Sequence, residues 1–140
     1  MKIFLITLLL LLQFSIGENL NYGDKQIVLL LKNYFQSSLD APKIIGHRFY
    51  KIEEKIIFQI EIKTNIESAN KALLFGFKAI SNLSNVAKKK FTHAIVVIHF
   101  ENEALPIIAE SNLNCSESFF INEIENEQQW RKNCLTIRNY

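Results

Sequence analysis

Glu61 and Lys63 are the two residues whose types and spacing best suit chemistry in this chain of 140 residues. Apolar and polar residues alternate along residues 56–63, which predicts a half-buried β-strand. Because successive side chains of a strand point to opposite faces, Glu61 and Lys63 are expected on the same wet face. A carboxylate beside an ammonium group could hold a divalent cation and orient a water molecule for hydrolysis.

The sequence Glu61-Ile62-Lys63 resembles the E-x-K of metal-dependent nucleases of the restriction-enzyme type. The resemblance covers these residues and a rough helix-strand-helix order. It implies that Glu61 helps to hold Mg²⁺ and that Lys63 steadies the attacking water. Such a site needs a second acidic ligand, and Glu53 and Glu54 in the preceding turn are the substitutes that the chain offers. A solvated strand face often carries the same pattern by chance, which favours a non-catalytic interpretation.

The three histidines are predicted to act separately rather than as a metal site. His93 and His99 share one face of a strand, but six residues at about 3.3 Å each place them about 20 Å apart. His47 lies on another strand and could approach only one of them. We therefore expect no bound metal. We expect no cofactor either, because the chain has no phosphate-binding glycine loop.

Cys115 and Cys134 are the only cysteines of the chain. In an exported protein an even pair of cysteines predicts a disulfide. Closing a loop of this length would stabilise the fold by about 3 kcal/mol in the chain-entropy account.

The first 17 residues have the pattern of a cleaved secretory signal. Lys2 gives a positive start, an apolar run follows, and small residues precede a cut before Glu18. The run is too short to span a bilayer, and no later stretch is long and apolar enough to do so. We therefore expect a secreted or periplasmic protein in which residues 18–140 form one small domain.

The charge of the mature chain predicts no nucleic-acid partner. Removing Lys2 lowers the formal net charge from +2 to about +1, which is too small for a general attraction to phosphate backbones. Lys88, Lys89 and Lys90 are candidates for contact with an anionic surface. A solvated loop is the simpler interpretation of such a run.

The first half of the mature chain predicts a helix followed by a hairpin. Asp24 can cap the helix, and Pro42 marks its end. Residues 44–50 and 56–63 are predicted strands, and residues 51–55 form the turn between them.

The middle of the chain predicts a second helix and a central strand. Thr64 and Glu67 have the spacing of a capping box at a helix start, and residues 81–85 are expected to break the helix. Residues 91–100 are apolar on both faces, which indicates a central strand. The expected apolar stripe of the helix consists of Ile66, Ala69, Leu73, Phe77 and Ile80.

The last third of the chain predicts one more strand and then a cap of about residues 112–140. Residues 105–111 form the strand, and Pro106 near its start favours an edge position. Residues 119–121 could be a strand or a helical turn. Residues 123–132 are predicted to form a short polar helix that its tryptophan anchors to the body of the protein. Residues 134–138 are predicted to form a final strand.

Together these elements predict an α+β domain of order α-β-β-α-β-β plus the C-terminal cap. The helices are expected on one face of a mostly antiparallel sheet. At the level of topology this order is similar to small periplasmic domains that bind lipid surfaces. Fold alone does not give function, and the expected partner is an unknown protein or an envelope surface.

The sequence therefore favours an exported, non-enzymatic domain with a binding or structural role in the envelope or extracellular space. Three observations favour this interpretation: the signal, the cysteine pair and the lack of polar residues that would converge in an active site. The alternative is a small secreted metal-dependent hydrolase that uses Glu61 and Lys63.

Overall fold

The computed structural model describes residues 21–102 and 104–139, so the predicted signal peptide lies outside the described residues. Helices and strands alternate along this part of the chain, and the predicted α+β class is confirmed. In order, the elements are α1 (Asp24–Ser37), β1 (Lys43–Ile52), β2 (Lys55–Thr64), α2 (Ala69–Val86), β3 (His93–Phe100), β4 (Ile107–Asn112), α3 (Leu113–Phe120), α4 (Glu127–Asn133) and β5 (Leu135–Asn139).

The five strands form one sheet in chain order, from β1 to β5. The β2–β3 pair is parallel, whereas the other three pairs are antiparallel. Helix α2 provides the connection that a parallel pair requires. β3 is therefore the middle strand, as its apolar faces predict.

The helices cover one face of the sheet, and within residues 21–102 and 104–139 no second layer covers the other. Phe58, Ile60 and Val96 point toward the helices and share one core with their buried residues. The intervening residues Ile57 and Ile95 belong to a separate small apolar cluster on the opposite face. This alternation follows from the two-residue repeat of a strand.

The hairpin between β1 and β2 is tighter than the sequence predicts. Its strands extend to Ile52 and Lys55, so the turn consists of Glu53 and Glu54 alone. Glu53 takes a left-handed φ of 53°, which a two-residue turn between twisted strands favours. The predicted turn of residues 51–55 was too long.

Helix α2 does not use the predicted capping box. Thr64 is the last residue of β2, and its carbonyl accepts a hydrogen bond from the Glu101 N–H at 3.1 Å. The helix begins at Ala69 instead, and Ile66 is 57 % exposed rather than part of the buried stripe. Before the helix, the side chain of Asn65 rather than that of Thr64 accepts a backbone N–H, that of Ser68, at 2.8 Å.

The predicted break at residues 81–85 is also wrong. Helix α2 continues to Val86, and Ser81 and Leu83 are buried against the body of the protein. Serines and asparagines are weak helix formers, but the free energy of packing one apolar face outweighs that small local preference.

Pro106 does not mark an edge strand. It precedes β4, which starts at Ile107 and pairs with both β3 and β5. Because the proline lies outside the ladder, its missing N–H removes no bond of the sheet. The edges are β1 and β5.

The C-terminal cap contains α3, α4 and β5, and the predicted disulfide between Cys115 and Cys134 is present, with 5.7 Å between the Cα atoms. Trp130 is fully buried, and its Nε1–H donates to Ser116 Oγ at 3.0 Å. Ser116 in turn lies 2.6 Å from the hydroxyl of Ser111 on β4. The predicted tryptophan anchor is therefore confirmed, and it is tied to the sheet by two buried hydrogen bonds.

None of the helices in the described part of the chain is long and apolar enough to cross a membrane.

Candidate functional site

The uncovered face of the sheet contains a depression of about 350 Å³. This volume lies at the small end of the range for pockets that bind compact ligands. All five strands contribute to its lining, which consists of Arg48, Tyr50, Gln59, Glu61, Ile95, Val97, His99, Ile108 and Arg138.

The floor of the depression is apolar. Ile95 and Val97 on the middle strand are only 6 % and 7 % exposed, although none of the described helices covers them. Tyr50 and Ile108 pack against the same cluster from neighbouring strands. The side chains at the rim therefore shield the floor and give the sheet face a defined concave surface.

Glu61 and His99 form a hydrogen-bonded pair at one side of this floor. His99 Nε2 donates to Glu61 Oε1 at 2.8 Å, and each side chain is 33 % exposed. In the parallel register of β2 and β3, the residue opposite His99 is Lys63. Glu61 lies two residues before Lys63, so its side chain reaches His99 diagonally on the adjacent strand.

Gly46 leaves the space that the Glu61 carboxylate occupies. A Cβ atom at Gly46 would lie 3.2 Å from Glu61 Oε2, and the two residues are paired across β1 and β2. An irregularity between Ile44 and Gly46 shifts the register there. Such bulges re-aim neighbouring side chains.

Two arginines stand on opposite sides of the depression. Arg48 lies on the edge strand β1 and Arg138 on the other edge strand, β5. Within the described residues neither guanidinium has an acidic partner within 4.0 Å. The Arg48 guanidinium carbon lies 4.7 Å from the centre of the Tyr50 ring, a cation–π distance.

The tyrosine at the rim is a fixed hydrogen-bond donor. The Tyr50 hydroxyl donates to Gln59 Oε1 at 2.6 Å. Partial burial raises the pKa of Tyr50 above its ordinary value, because removal from water disfavours the phenolate. The phenol therefore remains protonated in neutral solution.

The acidic residues that the structure describes on this face are already paired. Glu61 accepts from His99, and Glu110 lies 3.3 Å from the ammonium of Lys55. The charge left without a partner at the depression is therefore positive and is carried by Arg48 and Arg138.

The structure brings only one of the two predicted catalytic residues into the depression. Lys63 follows Glu61 on the same face but is exposed and does not belong to the lining. Glu54 precedes Glu61 by seven residues, about 23 Å at 3.3 Å per residue. The side chain found against Glu61 is an imidazole, and the hydrolase at Glu61 and Lys63 stays a prediction.

The other histidines lie apart from this pair. His93 is on the same face of β3, and its Nδ1 lies 2.9 Å from Thr92 Oγ1. Removal from water, together with the nearby Lys55, lowers the pKa of His93. His47 packs near Phe49, with 6.1 Å between the ring centres.

One group within the described residues has three side chains close enough to share a metal ion. It consists of Cys115, Glu125 and Cys134, and the disulfide already joins its two cysteines.

The lysine run at residues 88–90 is partly engaged within the protein. The ammonium of Lys89 pairs with Asp24 at 2.9 Å and lies 5.9 Å from the centre of the Phe49 ring. Lys88 and Lys90 are exposed. Contact of this run with an anionic surface stays a prediction.

A second concavity of about 360 Å³ lies on the helical side, between α2 and α3. Its walls are apolar, and its two charged residues are Lys71 and Lys78. Lys71 already approaches Asp40 at 3.5 Å. This groove therefore lacks the convergent hydrogen-bonding groups that distinguish the sheet depression.

Sequence reasoning found Glu61 but missed the two arginines, Tyr50 and the role of His99. The available signal was the alternation in β1, which places Arg48 and Tyr50 on one face. That alternation could not show which side of the sheet is uncovered, because the answer depends on where α1 and α2 pack.

No protein-family model matches the chain, and comparison with curated proteins and with solved structures also found no match.

Proposed function

We propose that the mature protein is an exported, non-enzymatic binding domain and that the uncovered sheet face is its binding surface. The observation that carries the proposal is the apolar floor ringed by polar groups, of which Arg48 and Arg138 have no acidic partner within the described residues. Small-molecule sites typically combine such a floor with a few well-placed polar groups.

Export is supported by the pattern of residues 1–17 and by the cysteine pair. A disulfide such as Cys115–Cys134 persists outside the reducing cytosol. The proposal therefore places the domain in the periplasm or the extracellular space, where its partner would be an envelope component or a secreted molecule.

The test is a titration of the methyl-labelled protein with benzyl alcohol, a neutral probe with a compact apolar body. We expect the methyl signals of Ile95, Val97 and Ile108 to shift, because these side chains form the floor. Ile108→Gln should abolish the shifts. Leu74→Gln, which places the same polar group in the helical groove, is the matched control and should leave them unchanged.

Shifts confined to Leu74 and its neighbours would overturn the proposal, because they would place the binding surface on the helical side. A parallel titration with Mg²⁺ tests the alternative. Saturable shifts at Glu61 and Lys63 that disappear in Glu61→Gln would favour the metal-dependent hydrolase over a non-enzymatic domain.

A further inference from the structure

The depression has an electrostatic preference as well as a shape. Of the acidic residues on this face, Glu61 is paired with His99 and Glu110 with Lys55. Arg48 and Arg138 have no such partner in the described part of the chain. The groups free to bind a ligand are therefore predominantly cationic.

The two guanidinium groups approach the depression from opposite sides. They start on the edge strands β1 and β5, which four strand spacings of about 4.8 Å place about 19 Å apart. Each arginine side chain extends several ångströms toward the depression that it helps to line. A ligand resting on Ile95 and Val97 would therefore have a donor fork at either end of its long axis.

The chemistry of the rim fits an anion better than a neutral or cationic group. Arginine presents its donors in a planar fork that matches the geometry of a carboxylate. Tyr50 holds its phenol proton toward Gln59, so it adds no negative charge. The small volume limits the apolar part to a compact body rather than a long acyl chain.

We infer that the depression binds a small organic carboxylate whose compact apolar body rests on Ile95, Val97 and Ile108 and whose anionic group is held by Arg48 or Arg138. This inference rests on the proposed function, because it names the ligand class of the same surface.

The experiment compares phenylacetate with 2-phenylethanol, which has the same apolar body but no charge, by isothermal titration and by methyl NMR. We expect phenylacetate to bind about tenfold more tightly, as one charge-assisted pair provides. Raising sodium chloride from about 20 mM to about 300 mM should weaken phenylacetate alone, because salt screens exposed charges.

Arg48→Gln and Arg138→Gln test the two sides separately. At least one should reduce the affinity for phenylacetate to that for the alcohol and leave alcohol binding unchanged. Lys63→Gln removes a positive charge from the same face outside the lining and is the matched control, with an expected change below about twofold. Thermal unfolding of each variant checks that the fold is retained.

The outcomes separate the inference from the proposed function. Suppose that phenylacetate and 2-phenylethanol bind with equal affinity and that both shift the methyl signals of the floor residues. This result would overturn the carboxylate assignment but would still support the sheet face as a binding surface. An equal loss of phenylacetate binding in Lys63→Gln would also overturn it, because the effect would then be general charge. If neither compound shifts the floor signals, the binding surface itself is wrong.

Discussion

At the residue scale, one side chain on the uncovered face couples the stability of the protein to pH. Burial beside Lys55 lowers the pKa of His93, so the folded state prefers the neutral imidazole. The unfolded chain binds a proton at this histidine more readily than the folded state does. The contribution of His93 to stability is therefore present above about pH 6.5 and is lost as the pH falls through the lower pKa of the folded state.

We therefore expect acidification from about pH 7 to about pH 5 to lower the free energy of unfolding, and His93→Gln to reduce that dependence. The measurement is urea unfolding at a series of pH values. His47→Gln, which alters an exposed histidine on β1, is the control. The same slope in His93→Gln and in the unsubstituted protein would contradict the assignment of the effect to His93.

At the element scale, α2 approaches the middle of the sheet closely because Gly76 has no side chain. A Cβ atom there would lie 3.1 Å from both methyl carbons of Val96 on β3. It would also lie 3.3 Å from Ile60 Cδ1 on β2. The helix that connects the parallel strands is therefore fitted to them at this point.

Gly76→Val should lower the free energy of unfolding by about 1–3 kcal/mol, the usual effect of overpacking. Val96→Ala removes the two methyl groups in the way, so the double variant should be more stable than the sum of the single effects predicts. Chemical unfolding of all three variants measures this coupling. Additive effects would show that the two residues do not limit the approach of α2.

The elements also show how far the sequence could predict the fold. The alternation in β2 and the apolar faces of β3 identified both strands, because a two-residue repeat is set locally by burial. The capping box predicted at Thr64 failed because β2 extends through Thr64 and the side chain of Asn65 accepts the Ser68 N–H instead. The edge position predicted from Pro106 is wrong because β5 pairs with the outer side of β4. The sequence assigned the residues of β5 only to an uncertain cap.

The candidate site was harder to predict than the fold. Glu61 could be found because the alternation of apolar and polar residues in its strand is clear. Its pairing with His99 depends on the parallel register of β2 and β3, which neither strand encodes alone. The two arginines are 90 residues apart in the sequence, and only the strand order places them around one depression.

At the scale of the whole molecule, the disulfide closes a loop within the C-terminal cap. It links the first turn of α3 to the residue that precedes β5. β5 has five residues and, within the described part of the chain, pairs in the sheet with β4 alone. The strand that carries Arg138 therefore depends on the cross-link more than the rest of the sheet does.

Replacing both cysteines by serine should lower the free energy of unfolding by about 2–4 kcal/mol, because the unfolded chain regains its freedom. Amide hydrogen exchange should accelerate most along β5, while β2 and β3 stay protected. Ser118→Ala, at a half-buried position of α3 outside the cross-link, is the control. Uniform acceleration across the sheet would show that the disulfide supports the whole domain rather than its last strand.

The placement of Arg48 and Arg138 on the two edge strands has a consequence for self-association. An edge strand offers unpaired backbone groups to any other strand, and charged side chains on edges oppose that pairing. A bulge adds to this protection on β1, where the register shifts beside Gly46. We therefore expect the arginines assigned to ligand binding also to oppose growth of the sheet between copies of the chain, so their replacement should be accompanied by a check for fibre formation.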